Sequence, residues 1–563
     1  MKAKGSLPST KLILGYKDIF NGKFEGERLS FLAGISKIDI IAEIAGLNFR
    51  LKGRKSKVVD TNFNTQLKEL FYFSGNNDQL YHKYASLIDF KTRGRESFIF
   101  SRQACLFALE EITQSDLPII DGFQMSDNLN SWEALILYIL CVNDEVTKIE
   151  ESKEDDPINF ETLNPKLLPI AELMLVSDPF YLVHRGWKLM EFLDQHAETH
   201  EHLVAYFNER FNITYERFIF EIHRMWMANK SDREDFNFFY FLRDDEKYKR
   251  LFEVMSEKYE STETFKLLNI RKHPFFNCGN DKYILTDLNN LLEKTYQQFT
   301  NDFFFDKLKQ SQKSNGSNFT MQDYKSIIGY FFESYVRELI EHSFSNAKGY
   351  FIRMFDELKI KKEDNSAIEV GDIYIRNEKN IILGEVKSSS MYDTEKYGGN
   401  IDAMYKNDRN KFFKNFGVDQ LANNIKAFDE NFKTLDLDLV NRKKIRIWPV
   451  IVLNEKAFQT PFMAHIFNAR FKELMSDFSS KRIHVYPLTL MHISDLENME
   501  YTLNKKPFLI WEILSDNFRN PTRFIPPLYS TINGMDIRAE YSRIREKVKL
   551  LFDKFRDPNQ VDD

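Results

Sequence analysis

The segment from Gly371 to Ser388 reads Gly-Asp-Ile-Tyr-Ile-Arg-Asn-Glu-Lys-Asn-Ile-Ile-Leu-Gly-Glu-Val-Lys-Ser, and it spaces two carboxylates and an ammonium as chemistry would need. Asn377–Asn380 supplies turn formers between two β-branched, apolar runs, the pattern of a hairpin. Folding symmetrically about those residues sets Ile375 against Ile382 and Asp372 against Glu385. Directly opposed residues of an antiparallel pair hold their Cβ atoms roughly 5 Å apart. Two carboxylates so placed repel each other, which a purely structural hairpin avoids. A divalent cation between them removes the repulsion, and Mg²⁺ takes hard oxygen ligands, often one or two carboxylates with water and a phosphate. The strand period of two puts Lys387 on the face of Glu385 and turns Val386 towards the core. An ammonium there can lower the pKa of a bound water or stabilise charge building on a phosphorus centre, with no covalent intermediate required.

Several elements must hold this hairpin in place. Upstream, Tyr324–His342 reads as a helix whose apolar residues Ile327, Ile328, Phe331, Phe332, Tyr335, Val336, Leu339 and Ile340 form one buried stripe. Glu333 lies at the edge of that stripe and needs a partner: a metal-bound water is one candidate, Arg337 one turn later the other. Downstream, Ser388–Asn410 is polar and contains Gly398-Gly399; with Lys396, Lys406, Arg409, Lys411 and Lys414 it reads either as a phosphate-gripping flap or as an ordinary solvated loop. A helix near Val418–Phe428 and strands at Ile445–Leu453 and Ile483–Leu488 follow. Pro449 inside the first of these strands predicts an edge position or a bulge. The sum is a mixed α/β domain with helices on a central sheet.

These residues resemble the PD-(D/E)xK nuclease superfamily. The resemblance rests on Gly329-Tyr330-Phe331-Phe332-Glu333-Ser334-Tyr335-Val336, Gly371-Asp372 and Gly384-Glu385-Val386-Lys387-Ser388, and covers about residues 270–500. Gly371 stands where the family usually has proline. The resemblance implies a restriction-endonuclease-like α-β-β-β-α-β core with a central mixed sheet, and Asp372, Glu385 and the Val386 carbonyl as ligands of Mg²⁺, with Mn²⁺ as the substitute. It further implies Lys387 as the catalytic lysine and Glu333 as a glutamate assisting through water. Gln420 resembles a glutamine that follows the lysine on the next helix in some of these nucleases, although Asn424 stands where its companion tyrosine is expected. DNA is favoured over RNA because most of the superfamily cuts DNA, and a helical region fused to such a nuclease resembles bacterial antiphage defence effectors. The competing readings are an RNase and a non-catalytic nucleic-acid-binding or scaffold protein that keeps the fold.

The 563 residues exceed one hydrophobic core, so two or three domains are expected. Residues 1–265 read as a mainly helical region for regulation, sensing or oligomerisation, answering to a trigger or partner of unknown kind. Residues 266–500 read as the nuclease domain, and 501–563 as a C-terminal helical extension packed on it. Apolar residues recur at helical spacing in Leu135–Val142, Leu167–Val176 and Val204–Met227. No apolar run is long enough for a bilayer span and no secretory signal is legible, so a cytoplasmic protein without a membrane partner is expected. Three widely spaced cysteines suit a reducing cytoplasm and argue against a disulfide framework or a Cys-based metal site. The net charge of −6 does not mark a nucleic-acid binder, but charge is uneven, with acids concentrated at 144–161 and bases at 401–450.

Other constellations are weaker. His196 and His200, with His202 beyond, have a zinc-like spacing, but their order is not that of metalloproteases and a solvated helix end is the better reading. Phe236, Phe238, Phe239, Tyr240 and Phe241 read as helical core rather than as a base-stacking platform. No phosphate loop ending in Lys-Ser or Lys-Thr is present, which argues against an intrinsic ATPase.

Overall fold

The computed structural model describes residues 12–51, 63–92, 97–120, 125, 128–146, 175, 178–229, 238–242, 246–257, 267–361, 367–389, 409–439, 442, 444–460, 463–519, 525–535, 537 and 539–555. They fall into two compact units. One, the sheet unit, is Thr320–Ser542; the other, the helical unit, takes the described residues up to Phe319 and those from Arg543 onwards.

The helical unit contains Lys37–Arg50, Arg102–Gln114, Leu129–Val146, Pro179–Gln195, His200–Phe211 and Tyr215–Ala228, in keeping with the helical spacing of Leu135–Val142 and Val204–Met227, while all of Leu167–Val176 but Leu175 lies outside the described residues. Its boundary lies later than the expected one near 265, for a physical reason. The hairpin Phe275–Gly279 with Lys282–Leu285 pairs with Phe239–Phe241 into a three-stranded sheet, and Phe275 packs on Tyr240 and Phe252. Asp287 forms a buried ion pair with Arg102 at 2.8 Å, and Glu110 accepts the backbone N–H groups of Asn269 and Ile270 at 3.1 and 2.9 Å. These partners lie among the N-terminal helices, so residues 267–319 fold with them. The last helix, Ser542–Phe555, also differs from expectation. Lys547 pairs with Glu191 at 2.5 Å and Phe552 meets Phe220 at 4.8 Å, so this helix belongs to the helical unit. Phe236 lies outside the described residues, but the rest of the aromatic run holds the strand Phe239–Phe241 rather than a helix: Tyr240 packs inward while Phe241 is 61% exposed.

The sheet unit opens with α1 (Met321–Phe344), whose eight predicted stripe residues are all buried. Thr320 and Asp323 close its first turn as a capping box. Then come β1 (Tyr350–Met354), β2 (Ile373–Asn377), β3 (Asn380–Lys387), α2 (Val418–Leu435), β4 (Ile445–Leu453), α3 (Met463–Leu474), β5 (Ile483–Val485), β6 (Thr489–His492) and α4 (Ile493–Lys505). The strand order is β5-β4-β3-β2-β1, with β6 also on β4. β1, β2 and β3 run antiparallel, while β4 is parallel to β3, β5 and β6. The result is a mixed α+β unit with a mixed sheet. Helices cover both faces, α2 and α3 on one and α1 and α4 on the other.

Pro449 sits in an interior strand, contrary to the expected edge or bulge. Ile447 offers its carbonyl to Tyr486 N–H at 2.9 Å, so odd-numbered residues of β4 direct their backbone groups to the side of β5 and β6. β5 pairs with Ile445–Ile447 and β6 with Val450–Leu453, leaving Pro449 at the break between them. Its missing N–H falls where no ladder bond is needed.

Among the described residues no helix is long and apolar enough to cross a membrane.

Candidate active site

The hairpin has the register that its sequence dictates. Asn377 pairs with Asn380, Ile375 with Ile382 and Ile373 with Gly384, so Asp372 and Glu385 come next in line. Asp372 leads into the strand after Gly371, whose φ of +145° favours glycine and whose added Cβ would lie 3.1 Å from the Gly384 carbonyl. The Asp372 N–H donates to that same carbonyl at 2.8 Å, and its Oδ2 accepts the Val386 N–H at 2.8 Å. An extended residue sends N–H and C=O to one side, so the Val386 carbonyl also faces the Asp372 side of the strand.

Glu385 and Lys387 point to the face opposite the Val386 side chain, beneath α2, alongside the apolar Ile381 and Leu383. Glu385 is wholly buried. The Lys387 ammonium lies 2.8 Å from Glu385 Oε2 and 3.8 Å from Asp372 Oδ2, so it occupies the cation's place between the two acids. Burial, then the neighbouring Asp372 charge, pushes the Glu385 carboxyl up to about 8, against the pull of Lys387. For Lys387, burial alone would depress the ammonium, but Glu385 and Asp372 outweigh it and raise its pKa. Glu333 approaches from α1 and is half-buried. Burial and Asp372 raise its carboxyl while Lys387 lowers it, which puts Glu333 in the same electrostatic cluster. Arg337 is engaged elsewhere, donating to the Met354 carbonyl at 3.5 Å and lying 5.2 Å over the Phe355 ring.

Two contributors carry no motif of their own. A Cβ on Gly417, the N-cap of α2 with φ +83°, would fall 2.8 Å from Lys387 Cε and 3.5 Å from Glu385 Cβ. Asn424, 7% exposed, donates from Nδ2 to Glu385 Oε1 at 2.5 Å. Seven residues separate them, two turns of one helix face, and that spacing was the signal available in the sequence. Gln420, half-buried, lies on the same face between them. Lys414 is exposed on the short helix Arg409–Asn415, whose Asn415 carbonyl accepts Ser389 Oγ at 3.4 Å, so this cation lies near the chain leaving Lys387. The Lys411 side chain and most of the basic loop, 390–408, lie outside the described residues.

The donors present fit a hard divalent ion. Among the described residues no group of three or more His, Cys, Asp or Glu side chains could hold a metal, but Mg²⁺ needs only one or two carboxylates, with water completing its shell. Asp372, Glu385 and the Val386 carbonyl are the donors that would hold one. Burial first, and the Asp372 charge after it, raise the Glu385 carboxyl, so the pair is held together at a cost. The histidines do not converge: His200 Nδ1 bonds to Asp194, His202 Nε2 to the Gln312 carbonyl, and His196 Nδ1 accepts from Glu198 N–H. Comparison with protein-family models, with curated proteins and with solved structures finds no match for this chain.

Proposed function

We propose that the sheet unit is a Mg²⁺-dependent endonuclease of the PD-(D/E)xK type, cutting phosphodiester bonds of DNA. The observation that carries this reading is the register of the β2–β3 hairpin, which sets Asp372 against Glu385 with the Lys387 ammonium between them. The order helix, three antiparallel strands, helix, parallel strand supports it, because that is the core the resemblance implies. Asp372, Glu385 and the Val386 carbonyl would hold the metal. A divalent ion there supplies Lewis acidity towards a phosphate and an attacking water. Lys387 stays protonated and offers its charge where negative charge builds on the phosphate oxygens. Glu333, half-buried and shifted upward, is suited to hold a proton at the rim of the site. Lys414 and Gln420 would meet the nucleic acid backbone beside it. The separate helical unit suits control by a trigger, as in antiphage defence.

The test is digestion of plasmid DNA and of RNA with Mg²⁺, Mn²⁺ or EDTA, using wild type, Asp372→Ala and Lys387→Ala. DNA cleavage that needs the metal and falls at least about 100-fold in both variants is expected. Cleavage that survives both substitutions removes the assignment; RNA cleavage alone moves the substrate class.

A further inference from the structure

Helix α2 buries Leu421, Ile425 and Phe428 in the core beneath it. Asn424 is buried beside them at 7% exposure. A buried amide is costly unless it is hydrogen-bonded, so an apolar residue would serve packing better here. Its partner is not a neighbouring backbone group but Oε1 of Glu385, 39 residues away in sequence. The last torsion of a glutamate is broad and leaves its carboxylate free to swing. With Oε1 taken by Asn424, Oε2 is left on the side of Lys387 and Asp372.

We propose that Asn424 is a positioning residue whose amide locks the Glu385 carboxylate so that Oε2 is presented to the cation shared with Asp372. The inference rests on the nuclease reading of the site for its catalytic consequence, but its effect on cation binding does not. Outer partners that orient metal ligands are typically worth about 10- to 100-fold in affinity or activity. Asn424→Asp keeps the shape, removes the donor and sets a like charge against Oε1, while Asn424→Leu removes the bond and puts an apolar side chain there.

The experiment combines cleavage kinetics with Mn²⁺ binding to the full chain without substrate, by electron paramagnetic resonance. Both variants are expected to lose about 10- to 100-fold in kcat, with KM for nucleic acid within about twofold of wild type. Mn²⁺ affinity moves in opposite directions: about tenfold weaker in Asn424→Leu, where the ligand swings free, and tighter in Asn424→Asp, where a third carboxylate joins the pair. A residue that merely packs would leave both affinities unchanged. Unaltered Mn²⁺ affinity in both variants, or cleavage within about threefold of wild type in Asn424→Leu, overturns the proposal. Should wild type cut no nucleic acid, the Mn²⁺ titrations alone decide the role of Asn424. Should Asn424→Asp not fold, judged by its melting curve, Asn424→Leu decides alone.

Discussion

Asp372 Oδ2 accepts the Val386 N–H at 2.8 Å, so a side chain continues the hairpin ladder one step beyond its last backbone pair. The bond gives Asp372 a structural duty beside its proposed chemical one. It also ties the carboxylate to the strand that carries Glu385 and Lys387, so the three groups cannot drift apart while the hairpin holds.

The two duties of Asp372 separate in Asp372→Asn. The amide oxygen can still accept from Val386, so the hairpin end is kept, whereas the charge opposite Glu385 disappears. Like-charge repulsion in the metal-free protein then falls. The expected outcome is complete loss of cleavage with a melting temperature, measured in EDTA, equal to or above wild type. Asp372→Ala also loses the bond and should melt lower than Asp372→Asn. A metal-free Asp372→Asn protein less stable than wild type would show that repulsion between the acids does not govern stability at this hairpin end.

Gly417→Ala tests how tightly the lysine is held. The new methyl would meet Lys387 Cε at 2.8 Å and Cγ at 3.2 Å, at a backbone φ of +83°. The left-handed conformation alone costs roughly 1 kcal/mol for alanine. The flexible lysine stem will move before the helix does, and displacement of a catalytic group by about 1 Å can cost on the order of 100-fold. We expect kcat to fall by about 10-fold or more, with little change in KM, read from steady-state kinetics. Full activity would mean that Lys387 is not positioned by this contact.

What the sequence revealed depended on how local the cause was. The pairing of Ile375 with Ile382, and with it the approach of Asp372 to Glu385, follows from a two-residue period and a turn, both contained in eighteen consecutive residues. The buried stripe of α1 is equally local. The boundary between units was not, because it is set by Asp287 reaching Arg102 and by Asn269 and Ile270 bonding to Glu110, partners more than 150 residues apart. Pro449 misled because the rule about edges assumes an unbroken neighbour, and here β5 and β6 share that place. Asn424 could be placed on the face of Gly417 by counting, but only the packing of α2 over β3 shows that its amide meets Glu385.

Lys387→Met separates metal affinity from turnover. The ammonium holds the space between the acids, so an incoming divalent ion must compete with it. Removing a partner from a buried ion pair usually costs about 3–5 kcal/mol. Here the cost is smaller, since burial and Asp372 already raise the Glu385 carboxyl, and without the ammonium it can take up a proton. The variant should therefore fold, cut nothing, and bind Mn²⁺ at least as tightly as wild type. Its melting temperature should rise further on adding Mn²⁺ than that of wild type does. Weaker Mn²⁺ binding would instead make Lys387 a support of the metal site rather than its competitor.

His273 gives the helical unit a pH dependence whose sign can be worked out. The ring is buried, and its Nδ1–H donates to the Val254 carbonyl at 3.0 Å. Burial, reinforced by Lys294 and Lys272 against the weaker support of Asp302 and of the Val254 bond, lowers its pKa from 6.5 to about 4. The unfolded chain therefore binds this proton at a higher pH than the folded one. The contribution of the neutral ring is present in full above about 6.5 and is lost as pH falls from there through 4, below which both states are protonated. The total is roughly 3 kcal/mol at most. Glu110, raised by burial to about 7, has the opposite sign and loses its contribution as pH rises from 4.5 through 7, which flattens the wild-type profile. His273→Gln, which keeps a donor for Val254, removes one of these two opposed contributions. Denaturant melts at pH 7 and at pH 4.5 should then show the variant gaining on wild type at the lower pH. A difference between the two proteins that stays constant across this range would mean that His273 titrates alike in the folded and unfolded chains.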